Sequence, residues 1–137
     1  MDRTHPGAVV IGSDQLASLE GEVFGKPGDK QNAIRQLQRI RGQRLDFYTG
    51  LCLRNGDSGR QQLDCVHYTV RFRNFTDEEI ERYVELEQPY NCAAAFKSEA
   101  LGISLVAEML GPDPSALIGL PLISLGAMLR NEGFKIP

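Results

Sequence analysis

Two stretches of alternating apolar residues, joined by a short polar segment, constrain the fold of this chain more than any other feature. The first runs from Leu45 to Leu53 and the second from Leu63 to Phe72. Because successive side chains of a strand point to opposite faces, each stretch predicts a strand with one buried face. Asn55-Gly56 between them is typical of a turn between paired strands. The two stretches therefore predict an antiparallel pair, and we expect His67 in its middle to be structural.

Three further segments are predicted to contain strands. Ala8–Ile11 is apolar and largely β-branched, and it predicts a buried strand that ends at Gly12. Glu20-Gly21 lies at the centre of residues 15–24 and favours a hairpin there, although a loop fits the same residues. The apolar residues between Leu101 and Leu110 predict another strand.

Three helices are predicted from their apolar faces and their capping residues. Asp29 is a suitable N-cap for the first helix, and Gly42 ends that helix. Thr76 begins a capping box for the second helix. The third is a terminal helix from Leu120 to Leu129. Strands and helices mixed in 137 residues predict a single domain of the α/β or mixed α+β class, spanning residues 1–137.

The charge and the cysteine content exclude several classes of protein. Fifteen Lys and Arg against eighteen Asp and Glu give a net charge of −3, which is too acidic to indicate nucleic-acid binding. No apolar run reaches the roughly 18 residues of a membrane span, and the first six residues contain no secretory signal. The three cysteines are irregularly spaced, which predicts neither a disulfide framework nor a zinc motif. We therefore expect a cytoplasmic domain that binds neither nucleic acid nor membranes.

The first candidate for chemistry is Asp14, which directly follows the predicted strand Ala8–Ile11. A carboxylate at the carboxyl end of a buried strand faces the crevice in which α/β proteins bind ligands. There it can accept a proton from water or bind a hard cation such as Mg²⁺ through oxygen. A cap of a helix or turn is an equally good interpretation of this residue.

The second candidate is Lys26, in Gly25-Lys26-Pro27. Glycine and proline restrict the backbone there and leave the ammonium group free to meet an anion. Lysine is a compact point charge suited to phosphate oxygens, although a solvated loop lysine is the commoner outcome. The segment is not a Walker motif, since the required glycines and Ser/Thr are absent.

The third candidate is the segment from Cys92 to Gly102, which contains a run of small residues. Small residues permit close approach of a ligand or of neighbouring backbone. Phe96 is a candidate for stacking on a base, and Glu99 is an acceptor suited to the donors of a purine edge. The alternative is a tightly packed segment that leaves Lys97 and Glu99 exposed.

Taken in order, these segments resemble the Maf-like nucleoside triphosphate pyrophosphatases, from about Val9 to Gly133. The resemblance implies that family's fold, a mixed twisted sheet flanked by helices as in the inosine triphosphatases. It also implies hydrolysis of a nucleoside triphosphate to the monophosphate and pyrophosphate with a divalent cation, Mg²⁺ or Mn²⁺. The matching segments are Gly12-Ser13-Asp14-Gln15, Gly25-Lys26-Pro27, Phe47-Tyr48-Thr49-Gly50-Leu51, Val70-Arg71-Phe72-Arg73, Glu79-Ile80 with Tyr83-Val84, and Ile118-Gly119-Leu120-Pro121-Leu122.

Two of these segments point to one branch of the family. Members that act on dTTP and UTP usually carry Ala-Asp-Thr at the first motif, where this chain has Ser13-Asp14-Gln15. Together with residues 95–99, this resembles the branch that acts on 7-methyl-GTP. The resemblance implies that Asp14 is the proton acceptor, that Gln15 and Glu99 are specificity residues, and that Lys26 contacts the phosphates.

The family begins with a strand and a Ser-x-Ser-Pro-x-Arg-Arg-like loop that binds the triphosphate. No such segment precedes Gly12, so we expect an N-terminally truncated member, whose exposed core edge would favour a homodimer. A second hypothesis is therefore a catalytically silent nucleotide-binding or regulatory interaction domain. The absent arginines favour that hypothesis, whereas the four matching site residues favour the enzyme.

Overall fold

The structure, a computed structural model, describes residues 8–137. Within them the chain forms five strands, three α-helices and three short 3-10 helices. The strands are β1 (Val9–Leu19), β2 (Glu22–Phe24), β3 (Arg44–Asn55), β4 (Gln61–Phe72) and β5 (Val106–Leu110). The α-helices are α1 (Lys30–Ile40), α2 (Asp77–Glu87) and α3 (Leu122–Asn131), and the 3-10 helices are Ala93–Ala95, Leu101–Leu105 and Pro114–Ile118. The predicted mixture of α and β structure is confirmed.

The five strands form one sheet in the order β2-β1-β3-β4-β5, and each neighbouring pair is antiparallel. The predicted pair is its centre, with β3 and β4 in register from Arg44 opposite Arg71 to Arg54 opposite Gln61. Asn55 begins the turn between them, where its carbonyl accepts from the Gly59 amide at 2.8 Å. The sequence thus predicted the central pairing and its turn.

Helices α1 and α2 cover one face of the sheet. The larger core cluster joins β1, β3 and β4 to these helices, and its largest fully buried side chains are aromatic or aliphatic: Phe47, Phe72, Phe75, Leu37, Ile40, Leu45, Ile80, Leu105, Val70 and Val84. A second cluster packs α3 against β3 through Leu51, Leu53, Leu125 and Met128. Residues of β3 that alternate with the buried ones point to the opposite face, where Tyr48 is exposed and Asp46, Gly50 and Cys52 are half-buried.

The predicted ends of α1 and the predicted start of α2 are confirmed, whereas the terminal helix, predicted from Leu120 to Leu129, runs from Leu122 to Asn131. The Asp29 carboxylate accepts from the Asn32 amide at 2.8 Å, and Gly42 follows α1 with a φ of +70°. Thr76 and Glu79 form the predicted capping box of α2. The predicted hairpin is also present, because Glu20 and Gly21 both have positive φ between β1 and β2. No helix within residues 8–137 has the length and apolar character needed to span a bilayer.

The predicted end of the first strand at Gly12 is wrong. Strand β1 continues to Leu19 because Gly12 is held in the ladder opposite Cys52, and its φ is not positive. The first part of this strand is also less buried than predicted, since Ile11 is 43% exposed.

The predicted strand from Leu101 to Leu110 is correct only in its second half. Residues 101–105 form a 3-10 helix, because the Gly102 amide turns back to donate to the Lys97 carbonyl at 3.0 Å. A Cβ atom at Gly102 would lie 2.2 Å from that carbonyl oxygen, so this close turn requires glycine.

Candidate functional site

A cavity of about 180 Å³ lies beside the part of strand β1 that pairs with β3 but not with β2. We call it the site cavity. All four residues predicted for the site line it: Asp14, Gln15, Lys26 and Glu99. The remaining lining residues are Ser13, Asn91, Cys92, Ala93, Phe96, Leu117, Ile118 and Gly119. Four segments that are distant in sequence therefore meet at one place.

Asp14 lies within β1, opposite Gly50 of β3, and not after the end of a strand as predicted. Strand β2 pairs only with residues 17–19 of β1, so β1 has one strand neighbour at Asp14. The side chain is exposed, and its Oδ1 accepts from the Gln15 backbone amide at 2.9 Å. It forms no ion pair within residues 8–137. The carboxylate is therefore available to water, to a cation or to a ligand.

The side chain of Gln15 lies on the side of β1 opposite to that of Asp14, and Gln15 is half-buried. Its Nε2 donates to the carbonyls of Ala116, at 2.8 Å, and Leu117, at 3.3 Å, and to the Thr49 hydroxyl at 3.2 Å. The amide nitrogen is therefore occupied, whereas Oε1 has no hydrogen bond in the described part of the chain. A ligand in the site cavity would meet Gln15 as an acceptor.

The same contacts fix one wall of the site cavity. Thr49 is 1% exposed and donates to the Ala116 carbonyl at 3.0 Å, and the Ser13 hydroxyl donates to the Gly119 carbonyl. Gly119 has a φ of +111° where the chain leaves the 3-10 helix Pro114–Ile118. This wall was not predicted. Thr49, a hydroxyl among the buried apolar positions of β3, was the signal for it in the sequence.

Lys26 lies in a loop that is tied to its surroundings on both sides. The Gly25 carbonyl accepts from the Ala94 amide at 3.2 Å, and the Pro27 carbonyl accepts from the Asn32 side chain at 3.1 Å. The Lys26 side chain is exposed and forms no ion pair within residues 8–137. A fixed backbone with an unpaired ammonium group suits the binding of an anion.

Glu99 is presented by a segment with an unusual backbone. Ala94 and Ala95 have φ of 56° and 58°, in the left-handed region that costs a non-glycine residue free energy. The Tyr83 hydroxyl holds this segment, since it donates to the Ala95 carbonyl at 2.6 Å and accepts from the Lys97 amide at 2.9 Å. Burial raises the pKa of Tyr83 above its usual range, so this hydroxyl stays protonated.

The prediction that Phe96 stacks on a base is wrong. Its side chain is 2% exposed, and its ring packs against Phe72 and Phe47 with centroid distances of 5.1 Å and 5.6 Å. Phe96 therefore belongs to the core beneath the site cavity. Its neighbours Ala93, Ala94 and Ala95 are buried as well, which matches the tightly packed alternative for this segment.

Cys92 lines the site cavity but is not suited to act as a nucleophile. Burial raises the pKa of its thiol, and the negative charge of Glu99 raises it further against the opposing effects of Lys97 and Lys26. The thiolate is the reactive form of cysteine, so a raised pKa keeps this side chain neutral and unreactive near pH 7.

The lining of the site cavity offers a candidate ligand for a divalent cation. Within residues 8–137 no three His, Cys, Asp or Glu side chains are grouped closely enough to hold a metal ion alone. Magnesium usually keeps several waters and binds through one or two carboxylates together with substrate phosphates. The exposed carboxylate of Asp14 supplies such a ligand.

Comparison with a family model and with individual known proteins points to the same family. The sequence matches the family described as Maf-like protein over residues 1–132. It is 51% identical to the 7-methyl-GTP pyrophosphatase of Alcanivorax borkumensis over 133 residues, which are 97% of this chain and 68% of that protein. It is 52% identical to the protein of the same name from Aromatoleum aromaticum, and the match covers 97% of this chain and 69% of that protein. It is 53% identical to the 7-methyl-GTP pyrophosphatase of Nitrosospira multiformis, and the match covers 97% of this chain and 67% of that protein.

Proposed function

We propose that this chain, which belongs to the Maf-like protein family, hydrolyses the bond between the α- and β-phosphates of 7-methyl-GTP or a related modified nucleotide. The products are the nucleoside monophosphate and pyrophosphate. The observation that carries the proposal is that Asp14, Lys26 and Glu99, from three separate segments, line one cavity. Relatives that are about half identical to this chain are named for the same reaction, which supports the choice of substrate.

In this proposal Asp14 acts as the proton acceptor. Its exposed carboxylate takes a proton from a water molecule as the water oxygen forms a bond to the α-phosphorus. The bond from that phosphorus to the bridging oxygen breaks, and pyrophosphate leaves with the electron pair. A positioned general base typically contributes about 10²–10⁴-fold in rate.

Lys26 contacts the phosphates on the leaving side. Its ammonium group has no ion-pair partner among the described residues, so no existing contact has to break before it binds an anion. A divalent cation, Mg²⁺ or Mn²⁺, held by Asp14 and the substrate phosphates, would reduce the negative charge that opposes attack by water. Lys26 contributes a positive charge to the same balance.

Glu99 recognises the base. The amino and imino groups of guanine are donors, and a carboxylate only accepts. Methylation at N7 gives the base a positive charge, which strengthens its attraction to a nearby carboxylate. Gln15, which also lines the site cavity, offers a second acceptor through Oε1.

The proposal includes a cytoplasmic location, where nucleoside triphosphates are formed and used. The three cysteines support this, because Cys52, Cys65 and Cys92 are all free thiols. Free cysteines are typical of proteins in a reducing compartment.

The test is a comparison of substrates with the purified chain. With Mg²⁺ or Mn²⁺ present, we expect pyrophosphate release from 7-methyl-GTP in preference to GTP, dTTP and UTP. Binding of 7-methyl-GTP without any release of pyrophosphate would contradict the proposal and would support a catalytically silent nucleotide-binding domain instead.

A further inference from the structure

Lys26 lines a second cavity in addition to the site cavity. This second cavity, of about 390 Å³, lies between α1 and residues 22–27, and we call it the α1 groove. Its polar lining residues are Glu22, Lys26, Asn32, Arg35, Gln36 and Arg39. Because Lys26 belongs to both cavities, the α1 groove adjoins the place where the phosphates would lie.

The polar residues of α1 in this groove form one continuous stripe. Asn32, Arg35, Gln36 and Arg39 are spaced i, i+3, i+4 and i+7, which places them on one face of the helix. Seven residues of helix extend about 10 Å at 1.5 Å per residue. The stripe is therefore long enough to follow a chain of several phosphates away from Lys26.

The charge of the α1 groove is opposite to that of the whole chain. Lys26, Arg35 and Arg39 are positive, and Glu22 is the one negative residue in its lining. The net charge of the chain is −3, so this groove is a local concentration of positive charge. Grooves lined by one sign of charge raise the local concentration of ions of the other sign.

The amide side chains of the stripe hold the Lys26 loop against α1. Asn32 donates to the Pro27 carbonyl at 3.1 Å, and Gln36 donates to the Gly25 carbonyl at 3.3 Å. Arg35 makes one hydrogen bond in the described residues, to Asn32, and keeps its other N–H donors for a ligand.

We propose that the α1 groove binds the phosphates beyond the scissile bond, so that the site accepts polyphosphate tails that continue past Lys26. This inference rests on the proposed function for the position of the scissile bond. Arg35 contacts the terminal phosphates, and longer tails gain affinity as they extend along the stripe. Arg39 at the far end is paired with Glu22, to which its Nε donates at 3.2 Å, so Lys26 and Arg35 carry the positive charge of the groove that has no acidic partner among the described residues.

Binding of inorganic tripolyphosphate tests the inference without any turnover. Titration calorimetry of the full chain is expected to detect binding that weakens about tenfold in Arg35→Ala, as for loss of a hydrogen bond to a charged group. The matched control is Arg82→Ala, which removes one positive charge from an exposed position on α2 and should leave binding within about twofold. Arg35→Lys should restore part of the affinity. Equal affinities of the Arg35→Ala and Arg82→Ala variants would overturn the inference, as would the absence of binding to the unaltered chain.

Turnover separates a failure of this inference from a failure of the proposed function. If the proposed function is wrong, the unaltered chain releases no pyrophosphate from 7-methyl-GTP. If only the inference is wrong, the unaltered chain is active and Arg35→Ala lowers kcat/KM equally for 7-methyl-GTP and 7-methyl-GDP. We expect a larger loss for the triphosphate, because the shorter tail ends near Lys26.

Discussion

The hydroxyl of Tyr83 donates a hydrogen bond to the carbonyl oxygen of Ala95, 2.6 Å away, and thereby fastens α2 to the segment that carries Glu99. The same hydroxyl accepts from the Lys97 amide at 2.9 Å. Two backbone groups on either side of Phe96 therefore depend on one buried side chain. Tyr83 is a positioning residue, because it acts through the backbone before Glu99.

Replacing Tyr83 with Phe should loosen this segment. Two backbone groups lose their partner, which costs about 1–3 kcal/mol of the free energy of unfolding. The preference for 7-methyl-GTP over GTP should also fall, because Glu99 is held less firmly. Urea denaturation and the ratio of the two kcat/KM values measure these effects. The control is Tyr48→Phe, whose hydroxyl makes no hydrogen bond within residues 8–137. An unchanged substrate ratio in Tyr83→Phe would contradict the positioning role.

Gly102 ends the turn that contains Glu99, because its amide donates to the Lys97 carbonyl at 3.0 Å. The substitution Gly102→Ala should displace this turn. The added methyl group would lie 2.2 Å from the Lys97 carbonyl oxygen, which is backbone and cannot rotate away. We expect a loss of about 1–3 kcal/mol in the free energy of unfolding, as for other overpacked sites. Gly12→Ala is the control, since a Cβ there meets nothing within 4 Å. Equal unfolding midpoints for the two variants would rule out the close contact.

Replacing Glu99 with Gln should relax the choice of base. The substitution keeps the shape of the side chain, removes its charge and replaces one acceptor by a donor. We expect the ratio of kcat/KM for 7-methyl-GTP to that for GTP to fall about tenfold, as a charge-assisted hydrogen bond is lost. Glu85→Gln, on the exposed surface of α2, is the control. An unchanged ratio in Glu99→Gln would show that another residue reads the base.

The ion pair between Arg73 and Glu79 should make stability depend on pH in acid. Its hydrogen bonds from Arg73, at 2.7 Å and 3.1 Å, lower the pKa of Glu79 from 4.5 to about 2. A lowered pKa in the folded state stabilises the protein above pH 4.5, and this contribution is lost as the pH falls towards 2.

The difference in unfolding midpoint between the unaltered chain and Glu79→Gln should therefore shrink between pH 5 and pH 2. Denaturation by urea at several pH values measures it. Glu78→Gln, an exposed acid in the same turn of α2, should show no such trend. A constant difference across this range would contradict the lowered pKa of Glu79.

Local patterns in the sequence predicted much of the fold. The β3–β4 pair follows from alternation, and the ends of α1 and α2 follow from capping residues that act within one turn. The length of β1 did not follow, because Gly12 and Asp14 show no apolar alternation and are held by backbone pairing with β3. The position of Phe96 in the core depends on two aromatic rings from distant strands.

The site was predicted in part. Residue chemistry indicated Asp14, Lys26 and Glu99, and the resemblance added Gln15; the structure places all four around one cavity, while their roles stay predictions. The wall formed by residues 116–119 was not predicted. It depends on hydrogen bonds from Gln15 to residues about one hundred positions away, and no local pattern reports such contacts.

The role of Asp14 as the proton acceptor is tested by the rate of pyrophosphate release from 7-methyl-GTP by Asp14→Asn. This variant keeps the size of the side chain and its acceptor for the Gln15 amide but removes the basic carboxylate. We expect a fall in kcat of at least about 10²-fold with an unchanged unfolding midpoint. Asp57→Asn, an exposed acid in the turn after β3, should retain full activity. Turnover by Asp14→Asn at the rate of the unaltered chain would show that Asp14 is not the proton acceptor.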